Sequence, residues 1–383
     1  MSLKHINERP RMTEHLVGRG VFRERRFAVV DVGARFGGAD YWNVFGDQLD
    51  LIGFEPDEDE CRRLNALPDN RTRRYFPFAL HRDEGRRTFY VAHSVGSSGF
   101  YKRDMVFWSR LSCRRNVEVE RTVLLDAIDF DQFASTNDLD HVDFMKIDVE
   151  GAELDVLKGG INFLRKGTVL GVAAEVTFVD SGPELALPSI DSLLRGLGFR
   201  LFDLEVSRFT RTALASPEEY EYVGAPSKRG QIIGADALYL RDAVPELGTV
   251  GGDSAWTDVS ILKLACLFEL FGLPDCAIEL LREARSRQYL ANENVDSLVD
   301  LATPLFMGAD VTYQEYRTRL ERVRALKDEG HKSGLPLTSI AREDSKLILG
   351  VLWNDLKVAG DRWLPRPIKS MVKRRLAKGA TAR

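Results

Sequence analysis

Between Phe27 and Asp242 the chain alternates short apolar runs with helix-like segments. The runs are FAVVDVG, LDLIGFEP, RRYFPFAL, VDFMKID, VLGVAAEV, FRLFDLE and ADALYLR, and segments such as EDECRRLNAL and GAELDVLKGGINFLRK separate several of them. Apolar runs of this length read as strands covered on both faces, so the alternation predicts a mostly parallel sheet with helices packed on it. A long polar segment without a helical period (SRFTRTALASPEEYEYVGAPSKRGQIIG) joins the last two runs. It predicts an antiparallel hairpin closing the sheet, with a loop free to cover a site.

From about Val250 the period changes. TDVSILKLACLFELFGLPDCAIELLREARSRQYL carries apolar residues at helical spacing, and Gly272 and Pro274 mark a turn between two helices. Gly272, Ala277, Leu281 and Ala284 resemble the small-residue pattern of a tetratricopeptide helix pair. One such unit cannot bury its own faces, so a plain helical extension is the expectation. YQEYRTRLERVRALKDEG continues it as a charged amphipathic helix. The pattern thus divides the chain into a lead-in (1–26), an α/β domain (27–248), a helical extension (249–345) and an amphipathic, basic tail (346–383).

Charge interrupts the apolar runs at their C-terminal ends, where an open α/β sheet binds ligands. The first run ends in VVDVGARFGG: Asp31, then a turn opened by Gly33 and Gly37 that a ligand can approach closely. This is not GxGxxG, and Asp31 would repel a pyrophosphate while attracting a cationic amino group. The second run ends in Glu55 and Pro56. An acid at that tip is placed to accept hydrogen bonds from ribose hydroxyls, with Phe54 or Pro56 against an adenine face; the competing reading has Glu55 capping the helix that starts near Asp57. Phe78, Ala79 and Leu80 end the third run beside the same pocket. His81 and the segment SVGSSGFY stay open between ligand contact and a solvated loop.

These stretches resemble the FkbM family of S-adenosylmethionine-dependent methyltransferases, within the Rossmann-like class I enzymes. The matching residues are VVDVGARFGG, LIGFEPDEDECRRLN, FALHRDEG, SSGFY, ERTVLLDAI, DFMKIDVEGAELDVLKGG and VLGVAAEV. Arg35 departs from the pattern, which has Asn there. The resemblance covers a little over half the chain and excludes the helical region. It implies a seven-stranded sheet with an antiparallel last hairpin and S-adenosylmethionine across the first strand tips. Asp31, Gly33 and Gly37 would face the methionine and ribose, with Arg35 in the same turn, Glu55 would face the ribose, and Ala79, beside Leu80, the adenine. It also implies methylation of a hydroxyl on a small molecule, sugar or glycan.

Methyl transfer is an in-line displacement, so the protein must align donor and acceptor and help remove the hydroxyl proton. In DFMKIDVEG the apolar residues Phe144, Met145, Ile147 and Val149 bracket Asp148, which falls at the strand tip beside the cleft. Asp148 is therefore the first candidate for catalysis and a donor contact, with Glu150 and Glu175 in support. Glu153 reads as helix-start chemistry, and Lys146 as the partner of Asp143 or Asp148. Asp148 and Glu175, on adjacent strand tips, could bind Mg²⁺ or share a proton. No third ligand is evident, so no metal ligand is assigned and Mg²⁺ dependence is not favoured. His93 stays open as an alternative base; His141 precedes its strand and is rejected.

Composition adds limits. The formal net charge is -4, which gives no bias toward nucleic acid. Four cysteines without CxxC spacing fit a reduced interior, and with no apolar leader or span the expectation is a cytoplasmic protein. The tail after Pro365 is basic. Peripheral membrane contact through it, with Trp353 and Trp363 as anchors, is weighed against a solvated tail, which is preferred. Competing readings are a scaffold protein that holds cofactor and recruits a partner through its helices, and a nucleotide-dependent dehydrogenase. The missing GxGxxG and the acid at Asp31 count against the dehydrogenase.

Overall fold

The first run folds as β1 (Phe27–Val32), buried along its whole length. A strand is apolar throughout only when both faces are covered, and the side chains divide accordingly. Phe27 and Val29 enter one core, Val30 and Val32 the other. The structure is a computed structural model describing residues 5–67, 72–179, 187–213, 230–247, 256–306 and 308–333.

In chain order α1 (Arg11–Gly18) precedes β1, and a 3-10 segment (Asp40–Gln48) leads into β2 (Leu49–Phe54). Next come α2 (Glu58–Asn65), β3 (Arg73–Phe76), β4 (Ala79–Leu80) and β5 (Gly85–Ala92). Two short helices, α3 (Met105–Trp108) and α4 (Arg114–Val117), precede β6 (Val119–Ile128), α5 (Phe130–Thr136) and β7 (Phe144–Ile147). The pairs α6 (Glu153–Gly159) and α7 (Ile161–Arg165) lead to β8 (Gly171–Thr177), α8 (Leu187–Gly196), β9 (Phe199–Phe209) and β10 (Gln231–Arg241). Helices α9 (Asp258–Leu270), α10 (Pro274–Ser286), α11 (Val295–Ala302) and α12 (Tyr313–Ser333) follow.

Seven strands form one sheet in the order β3-β2-β1-β7-β8-β10-β9. All neighbours are parallel except those of β10, which runs antiparallel to both β8 and β9. This is a Rossmann-like α/β sheet of seven strands with an antiparallel last hairpin, as expected from the sequence. The run RRYFPFAL, read as one strand, is two. Pro77 has a fixed φ and no N–H to give a ladder, so β3 stays in the main sheet while β4 leaves it to pair with β6. β4, β6 and β5 make a second, three-stranded sheet that the run pattern did not predict.

The helical extension is joined to the sheet by a shared core. Residues Ile261 to Leu270 of α9 are all buried, and they pack in one cluster with Phe27, Leu49, Phe144 and Leu240. Two charged residues on this helix are buried with partners. Lys263 Nζ donates to Asp143 Oδ2 at 2.7 Å and to the Arg26 carbonyl at 2.7 Å, while Asp143 Oδ2 also accepts from the Ala28 N–H at 2.7 Å. Asp143 therefore pairs with Lys263 and not with Lys146, because β7 turns its N-terminal end toward α9. Glu269 accepts from the N–H groups of Met12 and Thr13 and from the Thr13 hydroxyl. It thereby satisfies the first turn of α1, whose own cap position, Pro10, offers no side-chain acceptor. The segment 346–383 and most of the loop between β9 and β10 lie outside the described residues.

Candidate functional site

A cavity of about 870 Å³ opens at the C-terminal ends of β1, β2, β7 and β8. Asp31, Gly33, Arg35, Gly37, Glu55, Pro56, Ala79, Leu80, Asp148, Glu150 and Glu175 all line it. Every candidate from the strand-tip reading thus meets in one place.

The turn after β1 is fixed by sterics. Gly33 has φ +82°, and a Cβ there would lie 2.0 Å from the Asp148 carbonyl oxygen, so only glycine lets β1 and β7 exit this close together. At the tip of β2, Glu55 is buried and its Oε1 accepts from the Asp57 N–H at 2.9 Å. The cap of α2 is Asp57, which accepts from Asp59 and Glu60, so Glu55 is left to face the cavity. Burial pushes the Glu55 carboxyl up, and the Asp57 N–H and the Arg35 guanidinium 3.7 Å away counter it.

Lys146 lies between two acids. Parallel register sets it beside Asp31 on β1. Its ammonium is 3.1 Å from Asp31 Oδ1 and 3.4 Å from Asp148 Oδ2, and it donates to the Gly33 carbonyl at 3.1 Å. Burial disfavours the charged lysine, but the two carboxylates outweigh it and keep Lys146 protonated. Burial likewise pushes Asp148 up, and cationic neighbours led by Lys146 outweigh it, holding Asp148 below its ordinary value.

Asp148, Glu150 and Glu175 offer one carboxylate oxygen each, all within 4.8 Å of one another. Their environments differ. Glu150 sits at φ 57°, an uncommon conformation for a residue with a side chain, and Arg103 donates to its Oε2 at 2.6 Å. Burial raises Glu150 to about 7 despite Arg103. Glu175 is raised well above its ordinary value by burial and then by the charges of Glu150 and Asp148. The three acids are thus pulled apart in proton affinity: Asp148 lies below its ordinary value, Glu150 is raised to about 7, and Glu175 is raised well above its ordinary value. Glu153 accepts from the N–H groups of Val149 and Gly151, which holds the turn that presents Glu150.

The segment SSGFY is part of the site and no solvated loop. A Cβ at Gly99 would lie 2.9 Å from the Glu150 carbonyl oxygen, and the Tyr101 hydroxyl donates to Asp155 on α6 at 2.5 Å. Arg103, which follows, also stacks its guanidinium over Trp108 at 5.3 Å. Three successive contacts therefore clamp the turn that carries Glu150. His81 is buried against Asp155 at 3.4 Å and Phe100, outside the cavity lining. His93 pairs with Glu120 at 2.6 Å, and His141 with Asp140 at the opposite edge of the sheet. One face of the β5–β6 hairpin supplies the remaining wall through Phe89, Val91, Arg121, Val123 and Leu125. This wall was missed in the sequence, although its signal is present: residues of alternating character in RRTFYVA and RTVLLDAI.

Residues 31–201 match the methyltransferase FkbM domain. No curated protein matches the chain. Among solved structures, the methyltransferase FkbM of Methylobacillus flagellatus KT shares 15% identity over 56% of this chain and 43% of its own, with a TM-score of 0.31. The magnesium protoporphyrin IX methyltransferase of Synechocystis PCC 6803 shares 10% over 61% and 79%, with a TM-score of 0.25. The 1,6-didemethyltoxoflavin-N1-methyltransferase of Burkholderia thailandensis shares 13% over 61% and 79%, also at 0.25. The chain spans less than half the length of the Methylobacillus protein.

Proposed function

We propose that the protein transfers a methyl group from S-adenosylmethionine to a hydroxyl of a sugar, glycan or secondary metabolite, a reading supported by the match of residues 31–201 to the methyltransferase FkbM domain. The observation that carries this reading is the single cavity with acids at four strand tips, in which Asp31 and Glu55 lie toward one side of Lys146 and Glu150 and Glu175 toward the other. S-adenosylmethionine, when bound, supplies an electrophilic methyl on a sulfonium centre. Glu55 accepts hydrogen bonds from its ribose hydroxyls, Asp31 and the Gly33 turn take the amino-acid end, and Pro56, Ala79 and Leu80 enclose the adenine. Lys146 fixes Asp31, Asp148 and the Gly33 carbonyl in one arrangement, so the donor cradle is set before binding.

On the acceptor side, Glu150 takes the hydroxyl proton at its carboxylate. A base with a pKa near the working pH is the efficient one, and burial places Glu150 there. Asp148, held ionised, orients the hydroxyl, and Glu175, kept protonated by burial, donates a hydrogen bond to the acceptor. Divalent metal is not part of the reading. Glu150 is the third carboxylate that the sequence did not show beside Asp148 and Glu175, but Arg103 already engages Glu150, and Lys146 is shared between Asp148 and Asp31.

Calorimetry with S-adenosylhomocysteine tests the donor, and tritiated-methyl transfer to extracts of the source cells tests the acceptor. Absence of donor binding would sink the whole reading. Donor binding with label found only on nitrogen would remove the hydroxyl acceptor and leave the donor site standing.

A further inference from the structure

Asp31 lies on the face of the sheet that the helical extension covers. Alternation along β1 sends Phe27 and Val29 into the core shared with α9, and Asp31 is the next position on that face. Phe144 on β7 enters the same core, and Lys146 follows it in the same way. Two aromatic residues join this end of the cavity to the extension. Tyr41 and Trp42, in the 3-10 segment after the Gly33 turn, both line the cavity. Both also meet Phe271, the residue that caps α9. Its ring lies 6.0 Å from Tyr41 and 6.1 Å from Trp42, edge to face in each case, and 5.3 Å from Phe144.

The end of α9 is held by the start of the chain. The Asn7 N–H donates to the Leu270 carbonyl at 2.8 Å, beside the Glu269 contacts to α1. Gly272 has φ +71°, and a Cβ there would lie 2.7 Å from the His5 carbonyl oxygen, so the close passage requires glycine. Phe271 is therefore fixed from both sides, and with it the back of the Tyr41 ring.

The Tyr41 hydroxyl makes no hydrogen bond among the described residues. The cations of the β1 turn and of β7 are already committed. Lys146 has three N–H groups and three partners, Asp31, Asp148 and the Gly33 carbonyl. Arg35 pairs with Glu55 and Asp57. Burial raises the Tyr41 phenol, and the charges of Asp31 and Asp236 raise it further, so it stays an O–H donor close to Asp31. An α-amino acid carries its ammonium and carboxylate on one carbon. A ligand whose ammonium meets Asp31 thus brings to the same corner a carboxylate that Asp31 repels.

We infer that the Tyr41 hydroxyl donates to the carboxylate at the amino-acid end of the methyl donor, and that Phe271 positions Tyr41 to do so. The inference rests on the methyl-donor reading of the cavity. It makes the helical extension part of the donor site, although the domain match ends at residue 201.

The test is calorimetry on the full chain with S-adenosylhomocysteine and with 5′-methylthioadenosine, which keeps the adenosine and thioether but has no amino acid. Tyr41→Phe should weaken S-adenosylhomocysteine by about ten- to a hundredfold, the value of one hydrogen bond to a charged group, and leave 5′-methylthioadenosine within about twofold. Phe271→Ala should show the same selectivity, and should add little in the Tyr41→Phe background because both changes remove one interaction. If Phe271→Ala does not fold, Phe271→Leu carries the same expectation. Equal weakening of both ligands by Tyr41→Phe, or of neither, overturns the inference and leaves the donor reading standing. Additive losses in the double variant, or loss of both ligands in the Phe271 variants, overturn the positioning role and assign Phe271 to packing alone. No binding of S-adenosylhomocysteine by the unmodified protein removes the donor reading and this assignment together.

Discussion

One short strand carries a buried lysine–carboxylate pair just beyond or within each of its ends, and the two pairs have opposite fates. Asp143, one residue before β7, meets Lys263 under α9, and the carboxylate also takes the Ala28 N–H while the ammonium takes the Arg26 carbonyl. Lys146 within β7 meets Asp31 and Asp148 beside an open cavity, where Glu150 and Glu175 add further carboxyls. The chemistry is alike; the surroundings differ. At the closed edge a helix seals the pair and each group finds protein partners. At the open edge acids outnumber the nearby cations Lys146 and Arg103, and unequal burial splits the acids' affinities for protons. Enclosure makes a strut, whereas a cavity beside a charge excess makes a site.

The largest expected effect falls on the open edge. Glu150→Gln should lower methyl transfer by roughly two to four decades, the usual range for a lost general base, with donor affinity within a few-fold by calorimetry. A smaller loss would put the proton elsewhere and dissolve the distinction drawn for that edge. At the closed edge, Lys263→Met strands the Asp143 carboxylate and should cost about 3–5 kcal/mol in chemical denaturation. Adding Asp143→Leu should recover much of that, since the pair as a whole contributes less than either broken half costs; no recovery would mean that Asp143 does more than anchor α9.

Two finer measurements sharpen the contrast. Glu55→Ala should weaken S-adenosylhomocysteine by about ten- to a hundredfold, the value of one or two hydrogen bonds to a charged group, while leaving the denaturation midpoint close to unchanged. The rate of methyl transfer should climb with pH and level off above about 7, because Glu150 must lose its proton to act and burial holds that proton until then. Below that point each unit of pH should cost about tenfold. A rate flat from acid to neutral pH would exclude Glu150 as the base.

What could be read in the sequence was whatever a strand announces locally. Asp31, Glu55, Asp148 and Glu175 are acids where apolar runs end, and strand tips in a parallel sheet converge by geometry, so their meeting in one cavity was legible. Partners set by register or by distant packing were not. Lys146 faces Asp31 only because β1 and β7 pair with Asp31 opposite it, and Asp143 meets a lysine 120 positions later. The clamp of Gly99, Tyr101 and Arg103 on the Glu150 turn joins segments about fifty residues apart. Pro77 was visible but its consequence was not, since a proline can end a strand or merely sit at its edge until the partner strand β6 decides.

Glu269 gives the chain an unusual timetable. On a ribosome α1 is made first, yet the carboxylate that takes up the Met12 and Thr13 amides arrives more than two hundred and fifty residues later. Until α9 emerges, the sheet face that carries Phe27, Phe144 and Leu240 has only α1 and the 3-10 segment, through Trp42 and Phe45, to cover it. The nascent α/β half should therefore remain protease-sensitive and chaperone-bound until synthesis passes Leu270. Stalled chains ending before Thr257 offer the direct check: resistance to protease at that stage would show that the α/β half can be released early, and could be excised and studied alone.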